Sequence, residues 1–452
     1  MTKFLFRHVR SWPIADLVQG APRLLRRIFA NPYLISFLVF AGIAARIILI
    51  VLSKTRPESP LGAGSDAPTY ILLGHSILHG HGMAYVGQPT ALRAPLYPLM
   101  LAALEAIFAS HYLLIVRVVQ SLLAVLSAWI CAKTARQLWN EQAKWPAFAV
   151  AICTPTLLFF TTQITTEIFA AFFVSLFLYF LVQYSANENW NALIGMGICS
   201  GILLLLRFNA LFLPPMAALA AIRFPLTVGN LKRALLPLIV ALVIVSPWLI
   251  RNFIVFHGDI WYSSQTGTTA FQGALAPEGR NQPEGLVELK RQQGWCLSMI
   301  EIDRPSRLNF PSEVELNRQA RSAAILAWNG LGFHIIPLLI KKTGYFWLST
   351  DQLLDTSSLL DVQRKLRAVG VLAYWALLAV AMLGWLRLRK STPRIAYLLL
   401  LYCALATALH LPFTMNTRLR VPLIDPLLCV LAGIALAPGS PRASEHAHTQ
   451  TG

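Results

Sequence analysis

Two carboxylates next to long apolar segments are the groups of this chain best suited to chemistry. Asp66 lies in a polar loop, residues 64–70, that follows a membrane-length apolar segment, and Glu167 begins another such segment. A carboxylate just outside a membrane can take the proton of an acceptor hydroxyl or hold a divalent cation. Each acid also has a structural explanation, because Asp commonly caps a short helix and Glu favours the positive helix end. We predict that both acids contribute to one external pocket.

Arginines gather on the predicted outer face, where they are not needed to orient the chain. Arg93 opens the sequence RAPLYP at residues 93–98, in which two prolines stiffen the chain beside Tyr97. A guanidinium group binds two phosphate oxygens at once, and such charge-assisted bonds are strong away from water. A lipid-linked phosphate or diphosphate explains these arginines, and contact with anionic lipid headgroups remains the alternative. The candidate substrate-binding residues are Tyr70, Arg93, Tyr97, Arg117, Arg207, Arg251, His257, Arg418 and Arg420.

The composition places these residues in a helical membrane protein. Of the 452 residues, 56% are apolar and 13% are charged, whereas a soluble domain carries about 25% charged residues. Continuous apolar stretches of membrane-spanning length recur along the chain. We therefore predict an all-α polytopic membrane protein with about ten transmembrane helices and with juxtamembrane helices in its external loops. The six cysteines show neither a disulfide framework nor metal-ligand spacing, so they are predicted to be core residues.

The distribution of charge predicts which segments cross the membrane. The net charge of +18 does not indicate nucleic-acid binding, because the bases cluster in short loops between apolar helices, as in cytoplasmic loops. Residues 95–109 are apolar, yet a span there would place Lys133 and the bases of residues 387–394 outside. We therefore predict a juxtamembrane or re-entrant helix at 95–109, which also puts residues 161–167 on the face of Asp66. The predicted spans are 33–53, 112–129, 145–160, 167–184, 191–206, 208–222, 234–254, 368–386, 395–411 and 420–436.

These patterns divide the chain into five segments, of which the second carries the candidate acids. The segments are a basic cytoplasmic N-terminal segment (1–32), a transmembrane catalytic module (33–256) with the first periplasmic loop (54–110), a periplasmic loop with interfacial helices (257–367), the C-terminal transmembrane helices (368–436) and a disordered tail (437–452).

The order and spacing of these motifs resemble the GT-C superfamily of membrane glycosyltransferases. Specifically, the chain is similar to the bacterial relatives of protein O-mannosyltransferases and of lipid A aminoarabinose transferase, and looks like a member of glycosyltransferase family 39. The resemblance covers most of residues 33–256. Two positions depart from the family pattern, since Glu167 stands where Asp is frequent and Ala94 where a second proline is frequent. The matching residues are Asp66 through Tyr70, Gly80–Gly82, Arg93 through Pro98, Arg117 through Gln120, Lys133 to Trp139, Pro155, Glu167, Arg207, Pro247-Trp248, Arg251-Asn252 and residues 418–422.

The resemblance implies a fold, a donor and a mechanism. It implies the GT-C fold, a sugar donor of the polyprenyl-phosphate type, and transfer on the periplasmic side with inversion at the sugar carbon. It assigns Asp66 as base or metal-coordinating acid and Glu167 as the second acid. Some members bind a divalent cation and others do not, so Mg²⁺, Mn²⁺ or Zn²⁺ at these two acids stays open.

The expected function is transfer of a hexosyl or pentosyl group from a lipid phosphate at the outer face of a bacterial inner membrane. The expected partners are the donor, a glycan, lipid or protein acceptor, and membrane lipids, with no nucleic acid. Two alternatives stay open, namely a polysaccharide polymerase or ligase and a transporter or flippase of a lipid-linked sugar. A transporter carries ionisable groups at mid-membrane, whereas the acids here are predicted at one face, which favours an enzyme.

Overall fold

The computed structural model describes residues 26–53, 66–85, 87–222, 225, 227–275, 313–350, 361–415 and 417–441. Within them the architecture is helical, apart from a short antiparallel hairpin of β1 (Ala84–Tyr85) and β2 (Gln88–Pro89). The helices are α1 (Pro32–Ser53), α2 (Ala67–Leu78), α3 (Leu96–Phe108), α4 (Tyr112–Leu138), α5 (Lys144–Cys153), α6 (Pro155–Phe160), α7 (Glu167–Asn187), α8 (Trp190–Leu206), α9 (Leu213–Ala221), α10 (Val228–Val255), α11 (Thr266–Leu275), α12 (Glu313–Gly330), α13 (Ile335–Leu348), α14 (Asp361–Ser391), α15 (Pro393–His410) and α16 (Thr417–Leu436).

The helix lengths confirm a multi-span membrane protein with fewer full-length spans than the sequence predicts. Seven described helical segments are long and apolar enough to cross a membrane, and the bent pair α12 and α13 makes eight if it is one span. The predicted span 145–160 is broken at Thr154, because a residue before proline avoids helical geometry and Pro155 starts α6. The predicted spans 191–206 and 208–222 correspond to shorter apolar helices.

The apolar segment at 95–109 forms a helix of its own. α3 has 13 residues and is therefore about 20 Å long, which is shorter than the bilayer core of about 30 Å. It ends at Phe108, since the next residue, Ala109, has a φ of +47°, and a 3-10 turn separates it from α4. α3 packs closely on α2, since a Cβ at Gly74 would lie 3.0 Å from the Cβ of Leu101. The side of the membrane on which α3 lies stays a prediction.

α16 is the centre of the helix bundle. Almost all of its residues are buried, and it packs against α4, α5, α7 and α14. Small residues permit this close approach. A Cβ at Gly433 would lie 2.4 Å from that of Ala147 in α5, and Gly384 of α14 leaves room for the carbonyl of Leu431. The C-terminal half of α16 is therefore packed tightly between α5 and α14.

Hydrogen bonds tie the helices that follow α10 to the loops around α2 and α16. Glu313, at the start of α12, accepts a bond of 3.1 Å from the hydroxyl of Thr90. The ammonium group of Lys342, in α13, donates to the carbonyls of Gly273 and Phe413 at 2.7 and 2.8 Å. α11 is thereby held next to the loop that leads into α16.

Several of the predicted segments include residues outside the described part of the chain. Residues 1–25, 54–65, 276–312 and 442–452, with Cys296, lie outside the described part of the chain, and the division into five segments stays a prediction. The five described cysteines are free and buried or partly buried, as core residues are.

Candidate functional site

Asp66 pairs with arginines instead of capping a helix. It stands at the N-cap position of α2, but its side chain makes no capping hydrogen bond. Its Oδ1 accepts a hydrogen bond from Arg93, and its Oδ2 lies 2.7 Å from Nη1 of Arg418. Both carboxylate oxygens are therefore held by guanidinium groups, and the capping explanation of this acid does not apply.

Glu167 meets the same arginine from a different helix. It is the first residue of α7 and is completely buried. Thr166 makes no capping bond with its side chain and instead accepts from Nη1 of Arg207 at 3.1 Å. That Nη1 lies 2.9 Å from Oε1 of Glu167, to which Nε of Arg418 also donates. Arg418 therefore bridges two acids, including Asp66, that are far apart in the sequence.

The charges of this cluster keep Asp66 ionised and leave one positive charge without a carboxylate to balance it. Three guanidinium groups, from Arg93, Arg207 and Arg418, surround two carboxylates, which leaves one net positive charge. Burial by itself would raise the pKa of Asp66, but the charges of these arginines outweigh burial and hold that pKa below its usual range. Burial raises the pKa of Tyr70. At neutral pH the cluster therefore presents an ionised Asp66, a protonated phenol and cations that suit an anion.

A cavity of about 360 Å³ lies beside the bridged acids, within the size range of small-ligand sites. Glu167 is held behind the wall through Arg207 and Arg418. Five of the predicted residues line the cavity, namely Asp66, Tyr70, Arg93, Arg207 and Arg418.

Arg117 and Tyr97, which the sequence suggests as substrate-binding, do not line this cavity. Nε of Arg117 donates to the carbonyl of Thr162 at 3.1 Å, in the loop that precedes α7. One turn further along α4, the amide nitrogen of Gln120 donates to the carbonyls of Thr161 and Gln163, at 2.9 and 2.7 Å. The hydroxyl of Tyr97 donates to Oε1 of Gln120 at 2.9 Å. These side chains therefore fix the loop that positions the second acid.

Arg251 likewise supports the cavity from outside its wall. Its Nη1 donates to the carbonyl of Thr90 at 2.9 Å and its Nη2 to that of Met83 at 3.0 Å. The neighbouring Asn252 donates to the carbonyl of Tyr262 at 3.1 Å, and Tyr262 lines the cavity. The end of α10 thus anchors two loops that border the site.

Arg420 and His257 lie away from the cavity. Arg420 follows Arg418 by two residues, so the helix turns its side chain by about 200°. It is completely buried in the bundle, where Nη1 donates to the carbonyl of Phe346 at 3.0 Å and the guanidinium lies 3.8 Å from the ring centre of Tyr374. His257 is exposed after the end of α10, with a φ of +51°.

Several polar wall residues are not indicated by the sequence motifs. Oε1 of Gln265 accepts from Nη1 of Arg93 at 3.0 Å, and Oε1 of Gln272 accepts from the hydroxyl of Thr414 at 3.0 Å. His410 also lines the cavity. Isolated amides and hydroxyls carry no pattern that would reveal them. An ionisable residue at the end of an apolar helix is a recognisable signal, so His410 could have been proposed.

Comparison with known proteins agrees with this architecture. Residues 92–250 match the family model described as dolichyl-phosphate-mannose-protein mannosyltransferase. Among solved structures, the archaeal oligosaccharyltransferase AglB from Archaeoglobus fulgidus, in complex with an inhibitory peptide and a dolichol-phosphate, matches with a TM-score of 0.50. The match has 16% identity and covers 89% of this chain and 50% of that chain. The chain has the GT-C fold. The predicted fold class and the resemblance to the GT-C superfamily are confirmed.

Further matches are more distant in shape. The oligosaccharyltransferase of A. fulgidus in complex with Zn and sulfate matches with a TM-score of 0.49 and 17% identity, over 88% of this chain and 48% of that chain. The chain thus spans about half the length of the archaeal proteins that it matches. ArnT from Cupriavidus metallidurans bound to undecaprenyl phosphate matches with a TM-score of 0.40 and 17% identity, over 83% and 77% of the two chains. No curated protein matches by sequence.

The arrangement of the two acids does not fit a divalent cation. Arg418 occupies the space between the carboxylates of Asp66 and Glu167. An ion bound to both acids would have to displace this guanidinium and then lie beside Arg93 and Arg207. Among the described residues, no group of three or more His, Cys, Asp or Glu side chains could hold a metal ion. The charge that neutralises the acids here comes from arginine.

Proposed function

We propose that this protein is a GT-C glycosyltransferase that moves a sugar from a polyprenyl-phosphate donor to a hydroxyl group of a glycan, lipid or protein. We place the reaction on the periplasmic face of a bacterial inner membrane. The observation that carries the proposal is the bridge from Asp66 through Arg418 to Glu167 beside a cavity in a membrane helix bundle. The family matched by residues 92–250 and the fold support the same reaction class.

The donor binds through its phosphate group. A phosphodiester between a prenol and a sugar carries one negative charge, which matches the single net positive charge of the acid and arginine cluster. Guanidinium groups bind phosphate oxygens with charge-assisted hydrogen bonds, which are strongest where water is excluded. In the structure both oxygens of Asp66 are held by Arg93 and Arg418. The arriving phosphate competes for these arginines and thereby frees a carboxylate oxygen.

The chemical step is one displacement. The oxygen of the acceptor hydroxyl attacks the anomeric carbon of the sugar and forms the new carbon–oxygen bond. The bond from that carbon to the phosphate oxygen breaks, its electron pair goes to the phosphate, and the anomeric configuration inverts. The hydroxyl proton passes to Asp66, whose carboxylate the arginine charges keep ionised although it is buried. The leaving lipid phosphate gains a second negative charge, and the arginines stabilise this charge as it develops.

The two alternatives differ from this proposal in their products. A flippase moves a lipid-linked sugar without breaking its bond to phosphate, so purified protein in liposomes would release no free lipid phosphate. A polymerase or ligase breaks that bond, but its acceptor grows by whole oligosaccharide units. Mass analysis of the lipid and acceptor products separates the three activities.

The test compares lipid-linked sugars and surface glycans in cells that carry the wild-type protein, no protein, or Asp66→Asn. We expect the last two to lose one sugar from a surface glycan and to accumulate it on the lipid carrier. Asp259→Asn is the matched control, since Asp259 is an exposed acid that pairs with Arg318, and it should resemble wild type. Wild-type glycans in the Asp66→Asn cells would remove the assignment of Asp66.

A further inference from the structure

His410 is a buried imidazole in the cavity wall with one nitrogen unpaired. It ends α15 and lines the cavity, and its exposed fraction is 2%. Nδ1 lies 2.6 Å from the carbonyl oxygen of Ala406. A carbonyl can only accept, so Nδ1 carries the proton and the neutral ring has its lone pair on Nε2. This Nε2 is buried and has no hydrogen-bond partner among the described residues. A buried acceptor without a partner is costly, so a bound group that donates a hydrogen bond to Nε2 would remove this cost.

The imidazole is held in one orientation. Its bond to Ala406 fixes the plane of the ring, and the ring of Phe346 packs beside it with 5.2 Å between the ring centres. Nε2 therefore points in one direction without further ordering, as in preorganised binding sites.

The amides in the same wall supply the complementary chemistry. Oε1 of Gln272 accepts a hydrogen bond from Thr414, and Oε1 of Gln265 accepts one from Arg93. Each amide therefore has its nitrogen left to donate a hydrogen bond. Together with Nε2 of His410, the wall offers both donors and an acceptor, which is what a hydroxyl group requires. A phosphodiester has no hydrogen to donate, and a prenyl chain has no polar group, so neither of them can satisfy Nε2.

We propose that His410 recognises the sugar of the donor. Its Nε2 accepts a hydrogen bond from a sugar hydroxyl, while the arginines of the cavity hold the phosphate. This assignment rests on the proposed function, and it makes His410 a specificity-determining residue that contacts substrate.

The test measures the affinity of the purified full-length protein for undecaprenyl methyl phosphate, a phosphodiester that has the donor's single charge but no sugar, and for a panel of undecaprenyl-phosphate-linked hexoses and pentoses. We expect one sugar-linked lipid to bind roughly tenfold more tightly than the methyl diester, as one good hydrogen bond allows. His410→Asn keeps a donor near Nδ1 but has no atom at Nε2, so it should lose this gain and keep its affinity for the methyl diester. His410→Gln places a polar atom near Nε2 and should restore part of the gain. His334→Asn, at an exposed histidine, is the control.

Each result decides the proposal. Unchanged affinity of His410→Asn for the preferred sugar-linked lipid would show that Nε2 is satisfied by water and that the proposal is wrong. The proposal is equally wrong if no sugar-linked lipid binds better than the methyl diester, or if a normally folded His410→Asn loses affinity for both kinds of lipid together. If wild type binds neither kind of lipid, the proposed function itself fails.

Discussion

Replacing Arg418 by methionine removes the guanidinium group that contacts both acids of the cavity. Nη1 lies 2.7 Å from Asp66, and Nε donates to Glu167. Methionine is similar in length and keeps the apolar packing of the side chain. Removing one preorganised donor for a developing negative charge costs roughly 100- to 1,000-fold in kcat, and this is the loss we expect. Arg418→Lys keeps the charge, but a single ammonium cannot span two carboxylates, so we expect a loss of roughly 10- to 100-fold.

The same replacement should change the pH dependence. In the wild-type protein the pKa of Asp66 lies below its usual range, because the arginine charges outweigh burial, and Arg418 is the strongest of them. Without Arg418, fewer positive charges oppose the effect of burial, so the pKa of Asp66 rises. The acidic limb of the kcat/KM profile, which reports the free enzyme, should therefore move to higher pH. A lowered folded-state pKa stabilises the protein above the unfolded pKa, and this contribution is lost as pH falls through the folded pKa. The variant should lack the part of this contribution that Arg418 supplies, while Arg93 and Arg207 keep theirs.

The assay is sugar transfer in proteoliposomes, with the donor that the cell comparison identifies, measured over a range of pH. Thermal unfolding in detergent shows that each variant is folded. Arg318→Met is the matched control, because Arg318 is exposed and pairs with Asp259, and its rate should stay within about twofold of wild type, as surface substitutions usually do. If Arg418→Met keeps the wild-type rate and the wild-type acidic limb, the bridging role assigned to this arginine is refuted.

Metal dependence, topology and the loop before α7 can each be tested. Chelation with EDTA should leave the transfer rate unchanged, since Arg418 fills the place between the acids; a loss that Mg²⁺, Mn²⁺ or Zn²⁺ restores would contradict this. In a cysteine-free background, His257→Cys should react with a membrane-impermeant thiol reagent added from the periplasm and Glu141→Cys should not, whereas the reverse would overturn the topology. Gln120→Leu should lower the free energy of unfolding by about 2–4 kcal/mol, because buried carbonyls and a phenol lose their partners, and an unchanged Tm would argue against its role in the loop.

The placement of the two acids could be predicted from the sequence in part. The positions of Asp66 and Glu167 beside membrane-length apolar segments predict one external pocket. In the structure Asp66 lines a cavity with Arg93, Arg207 and Arg418, and Glu167 lies behind the wall, joined to Asp66 through Arg418. Charge patterns could not show the bridge between them, because they record which face a loop occupies and not which side chains meet there. The predicted span 145–160 is wrong for a similar reason, since hydropathy measures apolar length and does not register a break such as Thr154.

The sequence by itself determined a helical membrane protein, because apolar stretches of spanning length have no other stable form in a bilayer. It also placed the acids and arginines near helix ends. Only the tertiary structure decided between Arg418 and Arg420, which are two residues apart in α16. This helix is buried on almost every side, so its sequence has no polar face that would predict which arginine points to the cavity. Neighbouring helices on all sides determine that Arg418 faces the cavity and Arg420 faces the core.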